Sequence, residues 1–343
     1  MSRMDKTDRP AVAVVIVNYN RRDWLADCLR SVLAQSVQAD EVIVVDNGSA
    51  DGSAEMVEEN FGDRVKLVRL AENRGFAGGN NAGAQVAAAE WLALLNNDAA
   101  ADPDWLSWML AEARPGVGLI SCRVFCAEDR DLLDNLGVGL WPDGMSRGER
   151  RLERDDGSVC AVSLLPSGCA MMIRREAFEA AGGFDEDFFC YSEDTDLGLK
   201  ARLLGWRTAV ADRAVVYHRG GGGTLGVVSA QKIYLVERNR IAVLLRYFPW
   251  RSILSSPLWT AARYLGLGGE LLRTRARAGP GAGLIAGLAA LFRAYAHGLA
   301  RAGRDLRARR EWQRRSPLGR ELVALWLREH RLSWRSLVRL GPR

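Results

Sequence analysis

Four short apolar runs, each ending abruptly in a polar cluster, recur across the first hundred residues. They are 11–18 (AVAVVIVN), 41–45 (EVIVV), 65–70 and 91–95. Continuous β-branched runs of this length suit strands buried on both faces, as in parallel sheets. Between them, 22–35 carries helical spacing through Trp24, Leu25, Cys28, Leu29, Val32 and Leu33. A short helix is expected over 53–60 and an alanine-rich one over 80–89. Strand and helix alternate, which predicts an α/β fold with a mostly parallel sheet and right-handed crossovers. Further strands are expected at 117–125, 169–173 and 208–217. Asp102-Pro103 is expected to open a helix as N-cap and first residue, and Ser192 to cap another over 193–204. The polar stretch 126–160 reads as a loop-rich insertion near an acceptor site.

Charge divides the chain. Residues 226–343 hold 23 Lys and Arg against 6 Asp and Glu, whereas residues 1–225 hold 24 against 36. An acidic front and a basic back suggest two jobs, the basic part meeting an anionic lipid surface, a phosphorylated substrate or nucleic acid. No nucleic-acid reading motif accompanies the charge, so no nucleic-acid partner is expected. The expected organisation is a domain over 10–225 and a helical, arginine-rich region over 226–343, with Gly220–Gly223 at the boundary. The six cysteines form no CxxC pair, which predicts buried thiols and no zinc site. The N-terminal MSRMDKTDRP does not read as a signal peptide, and no run of about 18 uncharged apolar residues exists. A cytoplasmic protein is expected, with possible attachment to the inner membrane face.

In open parallel sheets, ligands bind beyond the carboxyl ends of the strands. Those ends here carry Asn18-Tyr19-Asn20-Arg21, Asp46-Asn47-Gly48-Ser49, Asn73 through Asn81, and Asn96-Asn97-Asp98. Four polar ends on one rim point to a nucleotide-sized ligand. Neither GxGxxG nor GxxxxGK[ST] follows the first strand, which argues against a nicotinamide dehydrogenase and a P-loop nucleotidase. The glycine-rich GFAGGNN segment opens a helix whose N–H groups can face a diphosphate. Asp98, ending an apolar strand, is placed to bind a divalent cation, Mn2+ or Mg2+. His218 ends another strand and is a second candidate ligand. Glu193 and Asp194 follow an aromatic cluster at a helix start, where one acid can accept the proton of an attacking hydroxyl.

The motifs VIVNYNR (15–21), VVDNGSADGS (44–53), NRGFAGGNNAG (73–83), LLNNDA (94–99), GCAMMIRREAF (168–178), GGFDEDFFCYSEDTDLGLKARLLGW (182–206) and VYHRGGGGT (216–224) occur in order. Together they resemble glycosyltransferase family 2, in its bacterial rhamnosyltransferase and galactofuranosyltransferase branch, over roughly 10–245. The resemblance implies a GT-A fold and an inverting transfer of a sugar from a nucleotide-diphosphate donor to a glycan or lipid-linked acceptor. It implies donor contacts from Asn18, Asn20, Asp46, Asn73, Gly75, Phe76, Gly78, Asn80 and Asn97. It further implies metal ligation by Asp98 and His218, and a base at Asp194 with Glu193 beside it. The family's metal-binding DxD reads Asn96-Asn97-Asp98 here, so its first acid is missing.

Beyond 245, apolar stretches at 252–272 and 281–292 are interrupted by Pro257 and arginines, and arginines cluster at 273–277 and 301–315. A helix with one apolar and one basic face suits an anionic membrane surface. Alternative readings are a non-catalytic nucleotide-sugar-binding partner subunit and a basic membrane-associated scaffold. A sugar-nucleotide pyrophosphorylase would need a glycine-rich loop where Asn18-Tyr19-Asn20-Arg21 stands.

Overall fold

A computed structural model describes residues 9–158, 165–220, 229–274, 284–316, 322–329 and 331–338. The first half alternates β1 (Val12–Asn18), α1 (Arg22–Leu33), β2 (Glu41–Asp46), α2 (Ser53–Phe61), β3 (Lys66–Arg69), α3 (Gly75–Val86) and β4 (Trp91–Leu95). There follow β5 (Ala99–Ala101), α4 (Trp105–Ala111), β6 (Val117–Cys126), β7 (Leu133–Asn135), β8 (Val138–Leu140) and β9 (Ser146–Gly148). Then come β10 (Ala170–Arg174), α5 (Arg175–Ala180), α6 (Glu193–Leu203) and β11 (Arg207–His218). The helices α7 (Ala230–Tyr247), α8 (Trp250–Thr274), α9 (Leu284–Arg315), α10 (Leu322–Glu329) and α11 (Trp334–Val338) complete it.

The main sheet runs β3-β2-β1-β4-β10-β6-β11-β5. β1 pairs parallel with β2 and β4, and β6 with β11, while β10 runs antiparallel between β4 and β6. The α/β class and mostly parallel sheet match the sequence expectation. Alternate residues of β1 explain its unbroken apolar run: Val12, Val14 and Ile16 pack toward α1 and α2, Ala13 and Val15 toward α3 and α5. Both faces are covered, so no polar residue is tolerated until the strand ends. Because β2 and β4 flank β1 and the order reverses there, the crevice at the carboxyl ends of β1 and β4 is the topological switch point.

Several boundaries differ from the sequence reading. The third helix begins at Gly75 and stops at Val86 rather than covering 80–89. Its glycines are poor helix formers, but a Cβ on Gly79 would lie 2.5 Å from Val17 Cγ1, and one on Gly83 2.3 Å from Val15 Cγ1. Close seating on β1 overrides propensity. Asp102-Pro103 forms a turn in which the Asp102 carbonyl accepts from Trp105 N, and the helix starts at Trp105. Ser192 adopts a left-handed conformation with φ 65° and its side chain caps nothing. Pro257, which interrupts the apolar stretch 252–272, lies within α8. The stretch 126–160 is not a polar loop. It supplies β7, β8 and β9 and buries Leu133, Leu136, Leu140 and Trp141. The run Gly221–Thr224, part of arginine cluster 273–277, and Cys160 lie outside the described residues. The five described cysteines are free thiols.

The charge asymmetry has an internal explanation. Arg246 on α7 bonds Asp185, Asp196 and Asp305, all within 3.0 Å. Arg263 on α8 bonds Asp143 and Glu237 at 3.0 and 2.8 Å, and Arg301 meets Asp187. Part of the basic back therefore neutralises acids of the front, and Arg240, Arg246, Arg263 and Arg309 are buried. The reading of the whole positive excess as a surface for partners is corrected accordingly. Among the described residues, no helix is long and apolar enough to cross a membrane.

Candidate active site

The switch-point rim is built from asparagines that bond one another. Asn97 Nδ2 donates to Asn18 Oδ1 at 2.7 Å, tying the end of β4 to the end of β1. Asn18 Nδ2 reaches Ser49 Oγ at 3.3 Å, and the same hydroxyl accepts from Asn20 N at 3.0 Å. Asn20, at φ 51°, accepts from Ala50 N. Asp46 accepts from Ser49 N through Oδ2, while its buried Oδ1 has no hydrogen-bond partner. A buried carboxylate oxygen without a partner is an acceptor that the protein itself leaves unused. Asn73 Oδ1 accepts from Gly75 N and Asn47 Nδ2, and Asn47 Oδ1 accepts from Arg74 N. Asn47, absent from the sequence-based donor set, thus fixes the 73–75 turn.

Gly75 has φ 71°, and a Cβ there would sit 2.2 Å from the Phe189 carbonyl oxygen. Only glycine admits that approach. Gly78 and Asn80 face inward instead. Gly78 lies under Arg74, and buried Asn80 donates to the Phe76 carbonyl in its own helix. These two residues shape α3, whereas Phe76 reaches a cavity of about 420 Å³.

That cavity is also lined by Glu193, Asp194, Asp134, His218, Arg151 and Lys232. Asp194 opens α6. Its Oδ2 accepts from Gly168 N at 2.9 Å and its Oδ1 from Thr195 N at 2.7 Å. Burial raises its pKa above the ordinary carboxylate value, against the lowering effect of these bonds. Neighbouring Glu193 is pushed well above its ordinary value by burial and by the adjacent Asp194 charge, and its Oε2 has no hydrogen-bond partner.

The loop delivering this pair holds Phe189, Tyr191 and Ser192 at φ 62°, 73° and 65°, each costing about 1–3 kcal/mol. Asn239 of α7 restrains it, donating through Nδ2 to the carbonyls of Phe188, Cys190 and Tyr191 at 2.7–2.9 Å. Asn239→Ala is expected to lower stability by about 1–3 kcal/mol in denaturant titration. It should reduce kcat while leaving donor affinity unchanged, because it acts only by positioning the acids.

His218 ends β11 between two carboxylates. Its Nε2 faces Asp98 Oδ1 at 3.2 Å and its Nδ1 meets Asp134 Oδ2 at 3.0 Å. Burial opposes the imidazolium, but Cys169 and the bonds from Asp134 and Asp98 outweigh it and raise the pKa well above the ordinary value. Asp134, which also pairs with Arg151, is held below its usual range despite burial. It was missed because it falls in the stretch read as irregular. Among the described residues no three His, Cys, Asp or Glu side chains are grouped to hold a metal ion by themselves. The Asp98–His218 pair nonetheless fits one edge of such a site. Ligands about 2.1 Å from an octahedral cation stand about 3 Å apart when adjacent, and Asp134 orients the other ring nitrogen as a second carboxylate should.

Residues 13–182 match the family model for glycosyl transferase family 2. The chain belongs to glycosyltransferase family 2. The O-antigen biosynthesis protein RfbC of Myxococcus xanthus is 30% identical over 224 residues, covering 61% of this chain and 17% of that protein. An N-acetylglucosaminyl-diphospho-decaprenol L-rhamnosyltransferase of Mycobacterium tuberculosis is 27% identical over 237 residues, covering 62% and 76% respectively. The chain spans a quarter or less of the length of the first two curated relatives it matches. The solved mannosyltransferase PcManGT of Pyrobaculum calidifontis, in complex with GDP-Man and Mn2+, superposes with TM-score 0.52 at 23% identity, over 87% of this chain and 77% of that one. The family 2 domain therefore has the GT-A fold expected from the motifs.

Proposed function

We propose that this family 2 chain is an inverting hexosyltransferase. It moves a rhamnose-like or galactofuranose-like sugar from a nucleotide-diphosphate donor to a hydroxyl of a cell-surface glycan or lipid-linked acceptor. The observation that carries this is one cavity lined by both Asp194, a carboxylate with raised basicity, and His218, the partner of Asp98 beside the switch point. The nucleoside lies along Asn18, Asn20, Asp46 and Asn73, and Asp46 Oδ1 accepts from its base or ribose. Asp194 takes the proton of the acceptor hydroxyl. That oxygen bonds to the anomeric carbon as the bond from that carbon to the diphosphate oxygen breaks on the opposite face, so configuration inverts. Glu193, held neutral, leaves Asp194 as the ionised acid of the pair. A divalent cation, Mn2+ or Mg2+, when held by Asp98 and His218, supplies positive charge for the leaving diphosphate. The M. tuberculosis relative's name supports a rhamnose donor and a lipid-linked acceptor, and the proposed place of reaction is the inner face of the cell membrane.

The metal assignment is tested by titrating Mn2+ into the wild type and into Asp98→Ala and His218→Ala, following its paramagnetic resonance signal with nucleoside diphosphate present. Binding by the wild type and at least about tenfold weaker binding by each variant is expected. Equal binding by all three proteins would remove these residues from the metal site.

A further inference from the structure

Helix α9 is built inside out along its first half. The side it presses on α7 is small: Ala290 and Ala294 are buried, and a Cβ on Gly298 would lie 2.9 Å from Ile241 Cδ1. Its large apolar residues point the other way. Ile285 is 84% exposed, Leu288 56%, Phe292 78% and Leu299 74%, at spacings of three, four and seven that hold them on one stripe. An ordinary surface helix does the reverse, burying the large residues. α8 shares the outward stripe, with Leu254, Leu258 and Leu265 76–80% exposed, although its inner side carries larger groups, Trp259 against Trp141 and buried Arg263. The exposed residues of α8 from Leu254 to Leu265 are all uncharged.

Past Ala300 the outer surface of α9 changes character. Basic residues now predominate among the exposed positions, Arg307, Arg310 and Arg314 among them, with Glu311 the exposed acid. So the apolar and basic parts follow one another along the helix, rather than occupying opposite faces as the sequence suggested. Large side chains turned outward, small ones packing helix against helix, and a basic end together describe the surface of a protein seated in a lipid interface. Scattered exposed leucines need no explanation, but two apolar stripes on helices that both pack against α7 do.

We infer that the outer faces of α8 and of the first half of α9 insert into the headgroup–acyl boundary of an anionic bilayer, with the basic half of α9 resting on the headgroups. This gives the membrane location proposed above its docking surface and makes apolar insertion, not charge, the main source of binding. It rests on that location but not on the transfer chemistry, and its test reads no activity.

The test is flotation of the full chain with vesicles of phosphatidylethanolamine and phosphatidylglycerol, at low salt and at about 1 M salt, where exposed charges are screened. The wild type is expected to float in both. Leu288→Glu/Phe292→Glu and Leu254→Glu/Leu258→Glu should each lower partitioning by about tenfold or more, with unchanged melting and unchanged elution volume. Arg307→Gln/Arg310→Gln/Arg314→Gln should lower it by a smaller factor, and only at low salt. Binding that vanishes at high salt, or glutamate variants that float like the wild type, would overturn the inference. So would a wild type that ignores vesicles and forms a dimer that the glutamate pairs dissociate, since a second copy would then cover the stripe.

Discussion

Asp194→Asn is expected to lower kcat by about 10²–10⁴-fold, with donor affinity within about twofold of the wild type. The asparagine keeps the size and the bond from Gly168 N but cannot take a proton. Glu193→Gln is expected to cost less than about tenfold, because the glutamate is already held neutral by burial and by Asp194. The pH profile separates the roles further. In the proposed mechanism transfer needs ionised Asp194, whose pKa is raised by burial. The acid limb of kcat/KM should therefore fall as pH drops through a value above the usual Asp range of about 4, and Glu193→Gln should leave that limb in place, because it exchanges one neutral group for another. Steady-state kinetics of the three proteins across pH check this. A larger loss in Glu193→Gln than in Asp194→Asn would exchange their roles.

The second large effect is on stability. Arg246→Met is expected to destabilise the fold by about 3–5 kcal/mol. It strips the shared cation from Asp185, Asp196 and Asp305, of which the last two are essentially inaccessible. Burial alone would raise the Asp185 pKa, but the charge and hydrogen bond of Arg246 hold it below its ordinary value. Its stabilising contribution is present above the unfolded pKa and is lost as pH falls through the folded one. The penalty of Arg246→Met should accordingly be greatest near neutral pH and shrink in acid. Denaturant unfolding at several pH values measures it. A penalty independent of pH would point to lost packing against Phe188, over which Arg246 stacks, rather than to charge.

The architecture of the first hundred residues was legible because it is written in local pattern. β1 and β4 are apolar on both faces, and their ends are marked by asparagines. The same local logic misplaced α3, since glycine's low helix propensity hides the requirement that Gly79 and Gly83 touch β1. It also misread 126–160, where strands of three residues are too short to show a period and Asp134 looks like one more surface acid. His218 was visible as a strand end, but the pairing of Asp134 with its second nitrogen depends on β6 and β7 being neighbours. Asn239 could not be found by spacing: its partners are backbone carbonyls about fifty residues away. The arginine-rich back showed its charge but not its direction, because Arg246 and Arg263 point inward toward acids of the front, Asp143, Asp185 and Asp196, and of the back, Glu237 and Asp305.

The central claim is tested most directly by offering the native chain a panel of nucleotide-diphosphate sugars, with Mn2+, Mg2+ or neither, alongside Asp98→Ala. Binding and nucleoside diphosphate release are the readouts. The expected result is metal-dependent release from one donor, lost in the variant, which would name the sugar and the nucleotide together. A folded chain that binds no nucleotide sugar with metal present would contradict the account, and donor binding with no turnover would leave a binding subunit in place of a transferase.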